Sequence, residues 1–299
     1  MTAHTIKAVR EQFRAQGKFH TPPELAKFLH DLIPDADNVR DVYDPTCGAG
    51  SLLAQFPDST PKCGQDIDKT ALHDANQLPN FTGAHGDVLA QPAFDDKRFH
   101  AIVANPPFSV KWEANEHIMW FGAPTIPTAS KADFAFIVHI IHQLADDGTA
   151  AVLCFPGIGY RGGREQQLRQ WITENRWLKE VHFVPGNQFT DTAISTIALV
   201  LTKTTNDTVR MVDTEHGIER NVPVSEIEEH DWSWTPSAYV QPEPVEKEKA
   251  DPAQLQEEAV SHLLKNLRAG LEMQKFVCQL EGWDFEPIRT RALNTVQSI

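Results

Sequence analysis

At 299 residues, with 41% hydrophobic and 23% charged side chains, the chain can bury a sizeable core as one large domain or one domain with an appendage. It has no run of about 18 apolar residues to span a membrane, its polar residues 1–16 lack a signal-peptide apolar segment, and Cys47, Cys63, Cys154 and Cys278 are too scattered for a zinc site; a cytoplasmic protein without a metal is expected. The net charge of -14 excludes a uniformly basic polyanion binder, so any nucleic-acid contact must come from cations gathered on one face or from a basic partner.

In chain order, Pro22-Pro23-Glu24 predicts a helix start, because proline suits the first turn and a carboxylate suits the helix dipole. From about Val39 to Lys203 short apolar runs alternate with amphipathic stretches, the pattern of a doubly wound α/β sheet. Strands are expected at Val39–Tyr43, Lys62–Ile67, Thr82–His85, Ala101–Ala104, Thr149–Phe155, Lys179–Val184 and Ser195–Leu201. Further helices are expected after Gly50, Lys69, Lys131 and Gly163. Ser109–Ser130 interrupts this rhythm, and loops of that length inside compact domains are usually functional or disordered. Beyond Lys203 a β-hairpin is expected around Arg210–Val224, then an exposed linker at Gln241–Ala250, then a charged amphipathic helix over Asp251–Glu281. The resulting domain reading is an N-terminal helical segment (1–38), an α/β core (39–205), a hairpin-like extension (206–240) and a linker with a C-terminal helix (241–299).

Three acids end successive strands. Asp44-Pro45-Thr46-Cys47-Gly48-Ala49-Gly50 places small residues where a backbone can approach a ligand, with a carboxylate able to accept bonds from a cationic amino group. Asp66, in Gly64-Gln65-Asp66-Ile67-Asp68, stands where nucleotide-binding sheets bind ribose hydroxyls. Asp87, in Gly86-Asp87-Val88, is placed to accept from an adenine amino group. Each alone fits an ordinary turn as well as a ligand site. Together they point to one crevice at the carboxyl ends of the sheet.

The next strand ends abruptly in Asn105-Pro106-Pro107-Phe108. A strand terminator needs only one proline, and neither Asn nor Phe. An aromatic amino group is a poor nucleophile because its lone pair is delocalised into the ring. The Asn105 side-chain oxygen and the Pro106 carbonyl can each accept one amino hydrogen and localise that lone pair, while Phe108 offers a face on which a flipped base can stack.

In this order the motifs resemble those of amino-methylating DNA methyltransferases, especially the modification subunits of type I restriction–modification systems. Phe19-His20-Thr21-Pro22-Pro23-Glu24 is similar to a segment that closes over the cofactor in that family. Lys131–Phe136, Tyr160-Arg161-Gly162-Gly163-Arg164 and Pro185–Thr196 resemble its later motifs. The resemblance covers roughly Phe19–Lys203 and implies a Rossmann-like, mostly parallel sheet with a late antiparallel strand and a C-terminal helical extension. It implies S-adenosyl-L-methionine as cofactor, held by Thr21, Pro22, Asp44, Thr46, Gly48, Gly50, Asp66, Ile67, Asp87 and Val88. Asn105, Pro106, Pro107 and Phe108 are then catalytic, DNA is the substrate, and Lys111, Trp112, Arg161 and Arg164 are candidate DNA contacts. Two departures matter: only about twenty residues precede the Phe19–Lys203 stretch, and no obvious target-recognition domain follows Lys203, the short acidic tail after Gln241 showing no basic stripe. A separate specificity subunit, or a second copy docked through helix 251–281, is therefore expected as partner. Methylation of RNA bases or of protein glutamine, and a catalytically idle scaffold, stay open as alternatives; cytosine C5 methylation does not, since no Pro-Cys dipeptide occurs.

Overall fold

The computed structural model describes residues 21–114, 121–186, 194–242 and 284–290, with positions 256, 260, 261, 271, 272, 275 and 278 besides. Among the described residues nine strands form one sheet: β1 (Val42–Asp44), β2 (Lys62–Asp66), β3 (Phe81–His85), β4 (Phe99–Ala104), β5 (Leu144–Cys154), β6 (Leu178–Val184), β7 (Thr196–Thr202), β8 (Thr208–Asp213) and β9 (Ile218–Pro223). Their order is β3-β2-β1-β4-β5-β7-β6-β8-β9. The first five are parallel, and β7 runs antiparallel between β5 and β6, which is the late antiparallel strand. The hairpin expected at Arg210–Val224 is β8–β9, and it continues this sheet, because β8 pairs in parallel with β6.

Alternation of side chains along the central strands builds a core on each face. Tyr43, Ile102, Ala104, Ala150, Val152, Leu199 and Leu201 point to one face, where they pack with helix α3 (Asp133–Gln143) and with Leu168 and Ile172 of helix α4 (Arg164–Glu174). Val42, Ala101, Val103, Ala151, Leu153 and Ala198 point to the other, against Leu25, Ala26 and Leu29 of α1 (Pro23–Asp31) and Leu72 and Ala75 of α2 (Lys69–Ala75). The helix α3 is apolar around nearly its whole circumference and buried accordingly. A short helix, α5 (Val224–Glu229), follows β9.

One expected helix is absent. After Gly50 the chain makes only a single 3-10 turn, Leu53–Gln55. Pro57 follows two residues later and drives Phe56 to an extended ψ of 149°, which ends the turn. The helices expected after Pro22, Lys69, Lys131 and Gly163 start within two residues of their sequence signals.

The chain separates into two compact units, Met1–Pro242 and Glu243–Ile299. In the second, the described positions between 256 and 278 are helical, as is 286–290, and Cys278 is buried. Most of helix 251–281 and the linker after 242 lie outside the described residues, as do Phe19, His20, Trp120 and 187–193. Among the described residues no helix is long and apolar enough to cross a membrane.

Candidate active site

Strand order reverses between β1 and β4, and such a switch point opens a crevice at the carboxyl ends of the strands. Asp44 is the last residue of β1, Asp66 the last of β2, and Asn105 follows the last residue of β4 directly. The parallel register sets them side by side, with Asp44 opposite Gly64 and Tyr43 opposite Ile102.

Asp44 is 1% exposed. Burial pushes its carboxyl from 3.8 up to about 8, offset in part by the Thr46 N–H, which donates to Oδ1 at 2.9 Å, and reinforced by the nearby Asp66 carboxylate. Asp66 organises the loop that follows β1. Its Oδ2 accepts the Gly48 N–H at 2.7 Å and its Oδ1 accepts the Asp68 N–H at 2.8 Å. Gly48 and Gly50 take φ of +51° and +85°, a region in which a side chain is strained. A Cβ on Gly50 would lie 2.5 Å from Leu78 Cδ1, whereas one on Gly48 would meet open space. Next to Asp66, Ile67 exposes 70% of its surface.

The Gly86-Asp87 turn is pinned by a buried side chain that sequence reasoning left without a role. Gln65 donates to the Gly86 and Gln91 carbonyls at 3.3 and 2.9 Å and accepts the Ala93 N–H at 2.9 Å. Asp87 is exposed and Oδ1 accepts the Leu89 N–H at 2.9 Å. Val88 puts its side chain in the core, at 4% exposure, leaving only its backbone to meet a cofactor.

In the Asn105–Phe108 strip Pro106 is buried, Pro107 exposed, and Phe108 half-buried against the core on the α1 face. The Asn105 amide nitrogen donates to Thr21 Oγ1 at 3.2 Å, so the Thr21-Pro22 segment reaches the strip across 84 positions of sequence. Pro22 also accepts the Ala26 N–H and so opens α1.

The candidate DNA contacts divide. Lys111 and Arg164 are exposed. Trp112 is packed against the core, and its indole N–H is taken by the Thr128 carbonyl at 3.1 Å. In the same loop Phe121 stacks on His142 at 3.7 Å between centroids. Arg161 turns inward: its side chain is 16% exposed, and it lies between Asp133 and Glu165. A long flexible cation reads as solvated from sequence, and only the surrounding acids reveal the opposite. Ser109 and Asp133, which the Arg161 network connects to the strip, carried no site signal beyond an acid opening an otherwise apolar helix.

The family described as N-6 DNA Methylase matches residues 6–223. A type I restriction enzyme MpnII methylase subunit of Mycoplasma pneumoniae is 33% identical over 222 residues, 64% of this chain and 41% of that protein. A type I restriction enzyme MjaIX methylase subunit of Methanocaldococcus jannaschii is 26% identical over 182 residues, 53% of this chain and 32% of that protein. This chain thus spans less than half the length of either relative. In fold it is similar to the crystal structure of a type I restriction–modification system methyltransferase subunit from Streptococcus thermophilus, with a TM-score of 0.67 at 24% identity, covering 75% of this chain and 60% of that one.

Proposed function

Because the chain belongs to the N-6 DNA methylase family, we propose that it transfers a methyl group from S-adenosylmethionine to the N6 amino group of an adenine in DNA. The observation that carries this reading is the Asn105–Phe108 strip directly after β4, set near the buried Asp44 of β1 at the switch point of the sheet.

The crevice suits that cofactor. Among the described residues no cation offsets the buried Asp44 carboxyl, so a ligand ammonium group would supply the charge it lacks. When bound, S-adenosylmethionine supplies an electrophilic methyl group on a sulfonium. Asp44 and Thr46 would hold its amino-acid end, Asp66 its ribose hydroxyls, and Asp87 with the backbone of Val88 its adenine amino group. Ile67 would pack against the adenine ring. Gly48 and Gly50 let the loop backbone come close, and Thr21 with Pro22 covers the site from the N-terminal side.

Catalysis by the strip is positioning and electrostatics, with no covalent intermediate. Thr21 occupies the donor half of the Asn105 amide, which orients the side chain and reserves its oxygen for an acceptor role. That oxygen and the Pro106 carbonyl take the two hydrogens of the target amino group and localise its lone pair. Pro107 holds the turn, since its ring fixes φ and its nitrogen offers no hydrogen. Phe108 stacks on the base once it has left the helix.

DNA is the macromolecular substrate in this reading. Its recognition sequence is read by a separate specificity subunit, or by a second copy engaged through helix 251–281. The net charge of -14 supports a borrowed DNA surface. Modified-base sequencing of DNA from cells expressing this chain, alone and with a candidate specificity subunit, tests the proposal. N6-methyladenine at a defined sequence supports it. Methylated cytosine, or no DNA methylation under either condition, refutes it.

A further inference from the structure

We propose that the buried Asp133 and the half-buried Arg161 form a brace that fixes the geometry of the Asn105–Phe108 strip, a positioning role that rests on the methyl-transfer reading above. Ser109 directly follows Phe108 and takes φ +51°, a left-handed conformation unfavourable for any residue with a Cβ. Two side chains from distant segments hold it there. Asp133, the first residue of α3, accepts the Ser109 N–H on Oδ1 at 3.1 Å. Arg161 Nη2 donates to Ser109 Oγ at 3.3 Å.

The two braces also hold each other. Asp133 Oδ2 is buried without a hydrogen bond, and Arg161 Nη1 lies 3.7 Å away as its balancing charge. The same nitrogen donates to Glu165 at 3.3 Å. Burial raises the Glu165 carboxyl above the usual range, against the opposing pull of Arg161. Gly157 makes room for this arrangement. A Cβ there would lie 2.5 Å from Arg161 Nη2 and 2.6 Å from Nε, so a side chain at 157 would force the guanidinium out of its seat.

Topology explains why an arginine after β5 should serve a strip after β4. The two strands are parallel neighbours, with Ala104 opposite Val152, so the segments leaving their carboxyl ends run side by side. Both side chains converge on a residue of positive φ that directly follows the strip, which is where a positioning pair would act. A phosphate contact needs an exposed, unshared cation, and Arg161 is neither.

The test compares the full chain with Arg161→Gln, Arg161→Lys and Gly157→Ala. Single-turnover methyl transfer, cofactor affinity, DNA affinity across a salt series and hydrogen exchange of residues 105–110 are measured. In Arg161→Gln the transfer rate should fall about 10- to 100-fold, the scale of a small misplacement of reacting groups, with cofactor affinity essentially kept. Exchange at 105–110 should rise, and the dependence of DNA affinity on salt should not change. Arg161→Lys should recover part of the rate through its remaining donor. Gly157→Ala should reproduce the loss with every charge in place, and it carries the test if Arg161→Gln fails to fold. An unchanged rate, or unchanged exchange at 105–110, overturns the brace. So does a fall of about one in the salt slope, the mark of a lost phosphate contact. A wild-type chain that binds cofactor but transfers nothing overturns the functional reading instead; exchange at 105–110 then decides the brace by itself.

Discussion

Replacing Asp44 by Asn should stabilise the cofactor-free protein at alkaline pH while destroying its grip on the cofactor. The Asp44 carboxyl sits at about 8 in the fold against an ordinary value of 3.8. At about 1.4 kcal/mol per unit, a shift of about four units sets a ceiling of about 5–6 kcal/mol on the cost of ionising it in place. Structural relaxation and water penetration reduce such costs, so an observed difference of about 2–4 kcal/mol is expected. The sign follows from the direction of the shift. A folded-state pKa above the unfolded one means that wild-type stability is fully present below about pH 4 and is lost progressively as pH rises to about 8. Asparagine carries no such charge, and its Oδ1 can still accept the Thr46 N–H. Urea unfolding at about pH 5 and about pH 9 should therefore show the variant gaining on wild type as pH rises. Cofactor titration by calorimetry should show binding weakened at least about tenfold, and the proton release expected of the wild type at neutral pH should be absent from the variant. Equal pH dependence of stability in the two proteins would refute the reasoning, because the burial cost would then not reside on Asp44.

Asn105→Ala should abolish methyl transfer while cofactor affinity stays within a few-fold, as read by transfer assay and calorimetry together. Asp66→Ala should weaken cofactor binding by about 1–3 kcal/mol, since the change also frees the Gly48 and Asp68 N–H groups; unchanged affinity would remove Asp66 from the site. Gly50→Ala should cost about 1–2 kcal/mol of stability through its positive φ, with further loss from contact with Leu78, visible as a lowered melting temperature.

Much of the fold is legible locally. Short apolar runs separated by amphipathic stretches specify alternating strands and helices, because side-chain period and turn chemistry depend on near neighbours. The acids at strand ends are legible because turn chemistry is local: Asp44 ends β1 just before Pro45, and Asp66 ends β2, its parallel neighbour. The missing helix after Gly50 shows the limit even of local reasoning, where Pro57 outweighed a helix-compatible run.

What the sequence alone determined is thus the alternation of strands and helices, with Asp44, Asp66 and the Asn105–Phe108 segment at or just after strand ends. Tertiary structure decided which of them meet, and which way the long side chains turn. Thr21 orients Asn105 across 84 positions, and Ser109 is held by Asp133 and Arg161 from 24 and 52 positions away. Chain spacing does not encode such contacts, because they exist only once parallel strands bring their carboxyl ends together. Arg161 is the clearest case. A cation in a glycine turn suggests solvent and phosphate, yet two buried carboxylates and the absent side chain of Gly157 draw it inward. In a low-dielectric interior an arginine goes where buried negative charge must be balanced.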